Sequence, residues 1–209
     1  MQDDVDDSVS WKDIKGLLWP YKYSNIPIKE IREQHIGMLR EYNQLNAIGN
    51  TRVLHMTPFA YAIHEGFENV IESFLHEDDV DYNATQDKDK HWTHIPLLNL
   101  IYINKDDLIL LLLNKKEVDV HVTDKNGKNA FAFLGRCYPV SYKVVYTLIL
   151  KGVSPYVKDM TGKSQLDVIL NEDTKMLIRT CIKDNIYLQL ILRKIFPLEI
   201  ARKIMHHCR

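Results

Sequence analysis

The chain has 209 residues, 45% apolar and 26% charged, a balance that suits one globular domain with a sizeable core and not a disordered chain. Its net charge of -1 leaves no basic face concentrated enough to displace phosphate counterions, so nucleic acid is not an expected partner. Cys137, Cys181 and Cys208 make no paired framework and fit a reducing compartment. The longest apolar run, Leu108 to Leu113, falls far short of the roughly 20 residues a membrane span needs. The start, MQDDVDDSV, is acidic where a signal peptide is basic and then apolar. A soluble monomer of the cytoplasm or nucleus, with no membrane partner, is therefore expected.

Residues 1–9 read as an acidic, solvated leader (Asp3, Asp4, Asp6, Asp7). Within 10–43, Trp11, Ile14, Leu17 and Leu18 recur at helical spacing up to Pro20. Ile28, Ile31, Ile36, Leu39 and Tyr42 suggest a second helix. From Thr57 to Leu75 the chain reads TPFAYAIHEGFENVIESFL. Thr57-Pro58 starts a short helix, small Ala60 and Ala62 leave room for a neighbour, and Gly66 breaks the run. Val70, Ile71, Phe74 and Leu75 then mark another helix, followed by a polar turn. A unit this small cannot bury its own apolar face and needs copies of itself.

The copies follow. Pro58 and Pro96 lie 38 positions apart, as do Asp81 and Asp119, which puts IPLLNLIYINKDDLILLLL in the same phase. Gly127 and Gly162 lie 35 apart, each inside an Asp-x-x-Gly turn opened by Asp124 or Asp159. The unit between them carries extra residues in its central break, and a fourth begins at GKSQLDVIL. A period of about 33 with Thr-Pro, a mid-unit Gly and a closing Asp/Asn turn resembles the ankyrin repeat. That resemblance covers 44–183, about four repeats, and implies an all-α solenoid of stacked helix pairs. A solenoid needs an end unit with one polar face, so 10–43 is expected to be a cap or a diverged repeat. Leu45-Asn46-Ala47 resembles the closing turn of such a unit. Ala60, Leu98 and Ala132 stand where the family usually has His, so the inter-unit hydrogen bonds of that His are missing.

Two further segments stand out. Gln86 to His94 lengthens a turn, where length costs little. Trp92 in it either folds back onto its own unit or waits for a partner. In 184–209, Leu188 to Ile195 form an apolar helix ended by Phe196-Pro197, and Leu198, Ile200, Ile204 and Met205 make a compact apolar set. Phe196, Pro197, Leu198, Ile200 and Ile204 resemble the opening of an F-box. More closely they resemble the F-box-like, PRANC-type segment of poxvirus ankyrin proteins. A plain C-terminal cap is the alternative.

Candidate chemistry is sparse. Thr161-Gly162-Lys163-Ser164 imitates the end of a P-loop, but Val157 stands where that loop needs Gly. Asp124 to Gly127 imitates part of a calcium loop, yet Val122 and Phe133 occupy ligand positions. His91 with His94, and His206-His207-Cys208, lack a complete zinc set. No cofactor, metal or catalytic constellation is expected, and the chain reads as non-enzymatic.

The ankyrin resemblance implies that turn tips and the ends of first helices meet a partner protein. Carried over, these are His64 and Glu65; Trp92, His94, Tyr102 and Ile103; Lys125, Asn126, Lys128 and Arg136; and Met160, Thr161, Lys163, Asn171 and Glu172. Tyr102-Ile103 is either an exposed apolar centre for an interface or part of the core. The implied function is capture of a host protein by a viral host-modulating ankyrin chain. If the tail works as an F-box-like segment, it docks the Skp-family adaptor of a cullin ubiquitin ligase. The alternative is a stoichiometric inhibitor of a host signalling protein or transcription factor. An enzyme built on repeats would need a constellation the sequence does not offer.

Overall fold

Three of the repeats open in the same way. The Thr57 hydroxyl accepts from Ala60 N at 3.2 Å, the Asn129 side chain from Phe131 N at 3.0 Å, and the Ser164 hydroxyl from Asp167 N at 3.2 Å. The Asp167 carboxylate accepts in return from Ser164 N at 3.1 Å, closing a capping box. Each bond satisfies one of the amide donors that a helix start leaves without a partner. The computed structural model describes residues 16, 27–41, 45–46, 56–83, 91–136 and 139–195. Among the described residues the regular structure is helical, apart from one isolated bridge between Lys158 and Ser164. The all-α class expected from the repeats is the one observed.

The chain forms two compact units, residues 1–99 and 100–209. In the first, α1 (Ile28–Ile31), a π-turn (Arg32–Ile36) and α2 (Gly37–Glu41) run on from one another. The five-residue step from Ile31 to Ile36 is what one π-turn accommodates, and Ile31, Ile36 and Leu39 are all buried. This stretch packs on α4 (Glu68–Leu75), which pairs with α3 (Pro58–Glu65). Gly66, at φ +72°, ends α3 in the left-handed region that only glycine enters cheaply. Phe59 lies edge-on to both Phe74 and Tyr82, with centroids 5.8 and 5.3 Å apart. The Tyr82 hydroxyl donates to Phe74 O at 3.0 Å, so the ring's polar tip is satisfied inside the core.

α5 (Pro96–Tyr102) carries the chain into the second unit, where Asn104 takes φ +56°. Asn104 stands 38 residues after Gly66 and plays the same terminating part; asparagine is among the few residues that tolerate this conformation. The second unit holds α6 (Asp106–Asn114), α7 (Ala130–Leu134), α8 (Tyr142–Leu150), α9 (Gln165–Val168) and α10 (Glu172–Ile195). α8 packs on α6 and α10, and α7 on α9. Ile109, Leu112, Phe131, Val145, Leu148 and Ile178 are fully buried there. Each such side chain is worth about 1.5–3 kcal/mol of apolar burial.

Sequence reading divides 44–183 from 184–209, and α10 runs straight through that division. No Gly or Pro interrupts Glu172–Ile195, so nothing stops the helix. The apolar helix expected from Leu188 is the last part of α10. The leader, the helix at Trp11 and the F-box-like segment (Phe196, Pro197, Leu198, Ile200, Ile204) lie outside the described residues, Gly16 excepted.

Candidate protein-interaction surface

The two Asp-x-x-Gly turns of the second unit are built alike. Asp124 Oδ1 accepts from Asn126 N (2.9 Å) and Lys128 N (2.8 Å), and Asp124 N donates to Lys128 O (2.9 Å). Asp159 Oδ1 accepts from Thr161 N (2.8 Å) and Lys163 N (3.2 Å), and Asp159 N donates to Lys163 O (2.8 Å). Gly127 and Gly162 close them at φ +75° and +80°. Both carboxylates are buried. The Thr161 hydroxyl, the backbone amides and the nearby Lys128 charge hold Asp159 below its usual carboxylate value. The oxygens that imitate a calcium loop are therefore spent on their own turn.

The turns are also joined. Met160 N donates to Asn126 O at 2.9 Å. A Cβ on Gly127 would stand 3.3 Å from Asp159 Cα and Met160 N, so the two backbones are in close contact. Behind them lies Gln165, fully buried: its amide nitrogen donates to Gly127 O (3.0 Å) and Val157 O (3.1 Å), and its oxygen accepts from Asn129 N (3.2 Å). One side chain thus ties the turn of one repeat to the helix start of the next.

This arrangement brings together the residues expected on the third and fourth turns. Lys125, Asn126, Met160, Thr161 and Lys163 are exposed and Lys128 is half-buried. Met160 is 80% exposed. The Asn126 amide reaches back to Asp124 at 3.2 Å, and the Thr161 hydroxyl to Asp159 at 2.6 Å, so both residues shape their turns. Tyr156 (57% exposed), Val157 and Lys158 lie on the same hairpin and are not among the residues expected from sequence. The signal for them was present: VSPYVKD places apolar residues immediately before the turn, where the following segment covers only their backbones.

A second group gathers at the far end of the short helices. A Cβ on Gly135 would meet Ile169 Cγ1 at 2.7 Å, which puts Arg136 and the segment after Ile169 at one end of the α7–α9 pair. Arg136 is exposed with its guanidinium over the Phe133 ring. Leu170, missed from sequence, is 91% exposed. Asn171 is used locally, because its side chain accepts from Thr174 N at 2.9 Å and caps α10. Glu172 is exposed and pairs with Lys175 at 2.6 Å, which lowers its carboxyl pKa. Tyr102 is 44% exposed at the end of α5, and Ile103 beside it is half-buried.

In the first unit, His64 is exposed and Glu65 half-buried at the end of α3. Trp92 and His94 are half-buried in one 3-10 turn, Trp92–His94, with the His91 ring 5.7 Å from each. His91 and Thr93 side chains meet at 2.7 Å, and Asn99 donates to Thr93 O at 3.0 Å, so this turn is internally braced. Asn46 spans two turns of this unit, donating to Asp79 O and accepting from Asp81 N. Arg40 bonds Asp79 at 2.7 Å and Glu77 at 2.9 Å; the Arg40 guanidinium holds Asp79 below its usual value.

No protein-family model matches the sequence, and no curated protein is similar to it. Among solved structures, the chain is similar to the ankyrin repeat domain of Bcl-3, described as a unique member of the IkappaB protein family. The two share 19% identity with a TM-score of 0.50, over 71% of this chain and 64% of that one. At that identity the likeness speaks for the fold, which is the ankyrin-repeat fold. No described helix is long and apolar enough to cross a membrane.

Proposed function

We propose that the chain is a non-enzymatic protein-binding module whose turn tips and first-helix ends grip a host protein. The observation that carries this reading is the joined pair of turns. Their acidic groups are consumed inside, while Lys125, Met160 and Lys163 project outward on a braced backbone. A backbone braced in this way loses little backbone entropy on binding. His64, Glu65, Trp92, His94, Tyr102, Ile103, Asn126, Lys128, Arg136, Thr161, Asn171 and Glu172 complete the candidate surface. Asn171, which caps its own helix, ranks last among them. The ankyrin fold, a scaffold widely used for protein partners, supports the same reading.

The resemblance of the tail to poxvirus ankyrin proteins supports a bridging role in host cytoplasm or nucleus. The array selects a host protein, and the segment from Phe196 docks a Skp-family adaptor of a cullin ligase. Its contribution is effective concentration and not bond chemistry. The test is affinity purification from host cells of the intact chain and of a chain lacking Pro197 to Arg209. Bridging requires that adaptor be lost from the shortened chain while the target is retained. Adaptor absent from the intact chain refutes it. The second reading, a stoichiometric inhibitor, draws on the likeness to an IkappaB-family domain and predicts that target is bound without falling in amount.

A further inference from the structure

We propose that the paired turns of the second unit take an acidic peptide segment carrying one aliphatic or aromatic anchor. This rests on the protein-binding reading above and names the partner chemistry of one part of that surface. The turns present Lys125, Lys128, Lys158 and Lys163, and among the described residues none forms an ion pair with any of them. The described acids of these turns are bonded locally, although the Lys128 and Lys163 charges still help to lower the pKa of Asp159 and Asp167 respectively. Asp124 and Asp159 are buried and bonded to their own turns, and Asp167, at the base of the hairpin, is closed onto Ser164. Of residues 124–128 and 158–163, the exposed charges are Lys125, Lys158 and Lys163, although the whole chain carries -1.

Exposed apolar side chains lie on the same hairpin as two of these lysines, Lys158 and Lys163. Met160 is 80% exposed, and Tyr156 and Val157 on the same hairpin are exposed as well. Val157 cannot turn inward, because its carbonyl is held by both the backbone and the side chain of Gln165. Covering these three side chains removes apolar area from water, and a flexible thioether adapts to the shape of the group that covers it. Lysines beside these side chains favour carboxylates through complementary potential, which sets specificity and on-rate. An anionic lipid surface offers the same charge. Peptide is favoured because three side chains on a hairpin are not the extended apolar helix face that inserts into a bilayer.

The test is to pan a displayed library of short random peptides on the immobilised intact chain, and then to measure the enriched peptide by fluorescence anisotropy. The expected pool is rich in Asp and Glu around one apolar residue. Affinity should fall about tenfold or more in K125E/K163E and in M160S, and should weaken with added salt. K143E, a single charge reversal on an exposed lysine of α8, should leave it unchanged. A neutral or basic pool, or an acidic one indifferent to K125E/K163E, overturns the inference while leaving the wider reading to the co-purification. Binding to phosphatidylserine vesicles with no peptide enriched overturns it in favour of lipid.

Discussion

Gln165 offers the sharpest test of how the repeats are joined. Replacing it with Leu keeps the volume of a fully buried side chain but removes three hydrogen bonds. Val157 O keeps a second donor, the Gln165 amide at 3.1 Å. Asn129 N–H and Gly127 O have no second bond in the turn network described above. At about 1–3 kcal/mol for the buried Asn129 N–H and less for the part-buried Gly127 O, Gln165→Leu should destabilise the chain by about 1–4 kcal/mol. Gln165→Glu should be at least as damaging at neutral pH, because a buried carboxylate then faces two carbonyl oxygens. Protonation restores one donor, so the Glu variant alone should recover stability relative to wild type as pH falls towards 5. Urea denaturation followed by circular dichroism reads these differences, with hydrogen exchange at Asn129 as a local probe. A loss for Gln165→Leu below about 0.5 kcal/mol, the range of ordinary surface substitutions, would refute the argument.

Other outcomes follow from the same geometry. Gly127→Ala should cost more than Gly162→Ala. Both positions have positive φ, a penalty of about 1–2 kcal/mol, but only at Gly127 would the new Cβ press on the next turn's backbone; equal losses in thermal melts would mean the turns do not touch. Gly135→Ala forces a methyl to within 2.7 Å of Ile169 and should cost about 1–3 kcal/mol. Ile169→Ala in the same chain should recover part of it, and a double-mutant cycle showing simple additivity contradicts that contact. Asp159 and Asp167 titrate below the ordinary value of 3.8, held down by hydrogen bonds from Thr161 and Ser164 respectively. Their contribution is complete above that value and is lost as pH falls through their folded values. Acid unfolding should therefore begin below about pH 4 and be blunted in Asp159→Ala/Asp167→Ala, whereas an unchanged acid limb would rule the two carboxylates out.

Some features were legible because their causes are local. Thr57-Pro58, Gly66 and the Asp-x-x-Gly pairs work through backbone conformation and bonds spanning a few residues, so spacing alone located the units. The same holds for Met160 and Lys163, which follow an Asp whose bonds point the next residues outward. Asn171 carries a second role for a reason of the same kind. A polar residue before a helix serves as a cap, as a contact or as both, and its 2.9 Å bond to Thr174 N shows the first of these. The continuity of α10 was readable in principle from the absence of a breaker.

Sequence by itself determined the repeat phase, the helix starts and the turn chemistry, because each depends on neighbours within one unit. Tertiary structure decided what the repeats do to one another. It buried Gln165 between two repeats of the second unit, set Gly127 against Asp159, and left Tyr156, Val157 and Leu170 facing water although their composition suits a core. Those outcomes depend on which backbone from another repeat occupies the adjacent space, and a linear pattern carries no record of that.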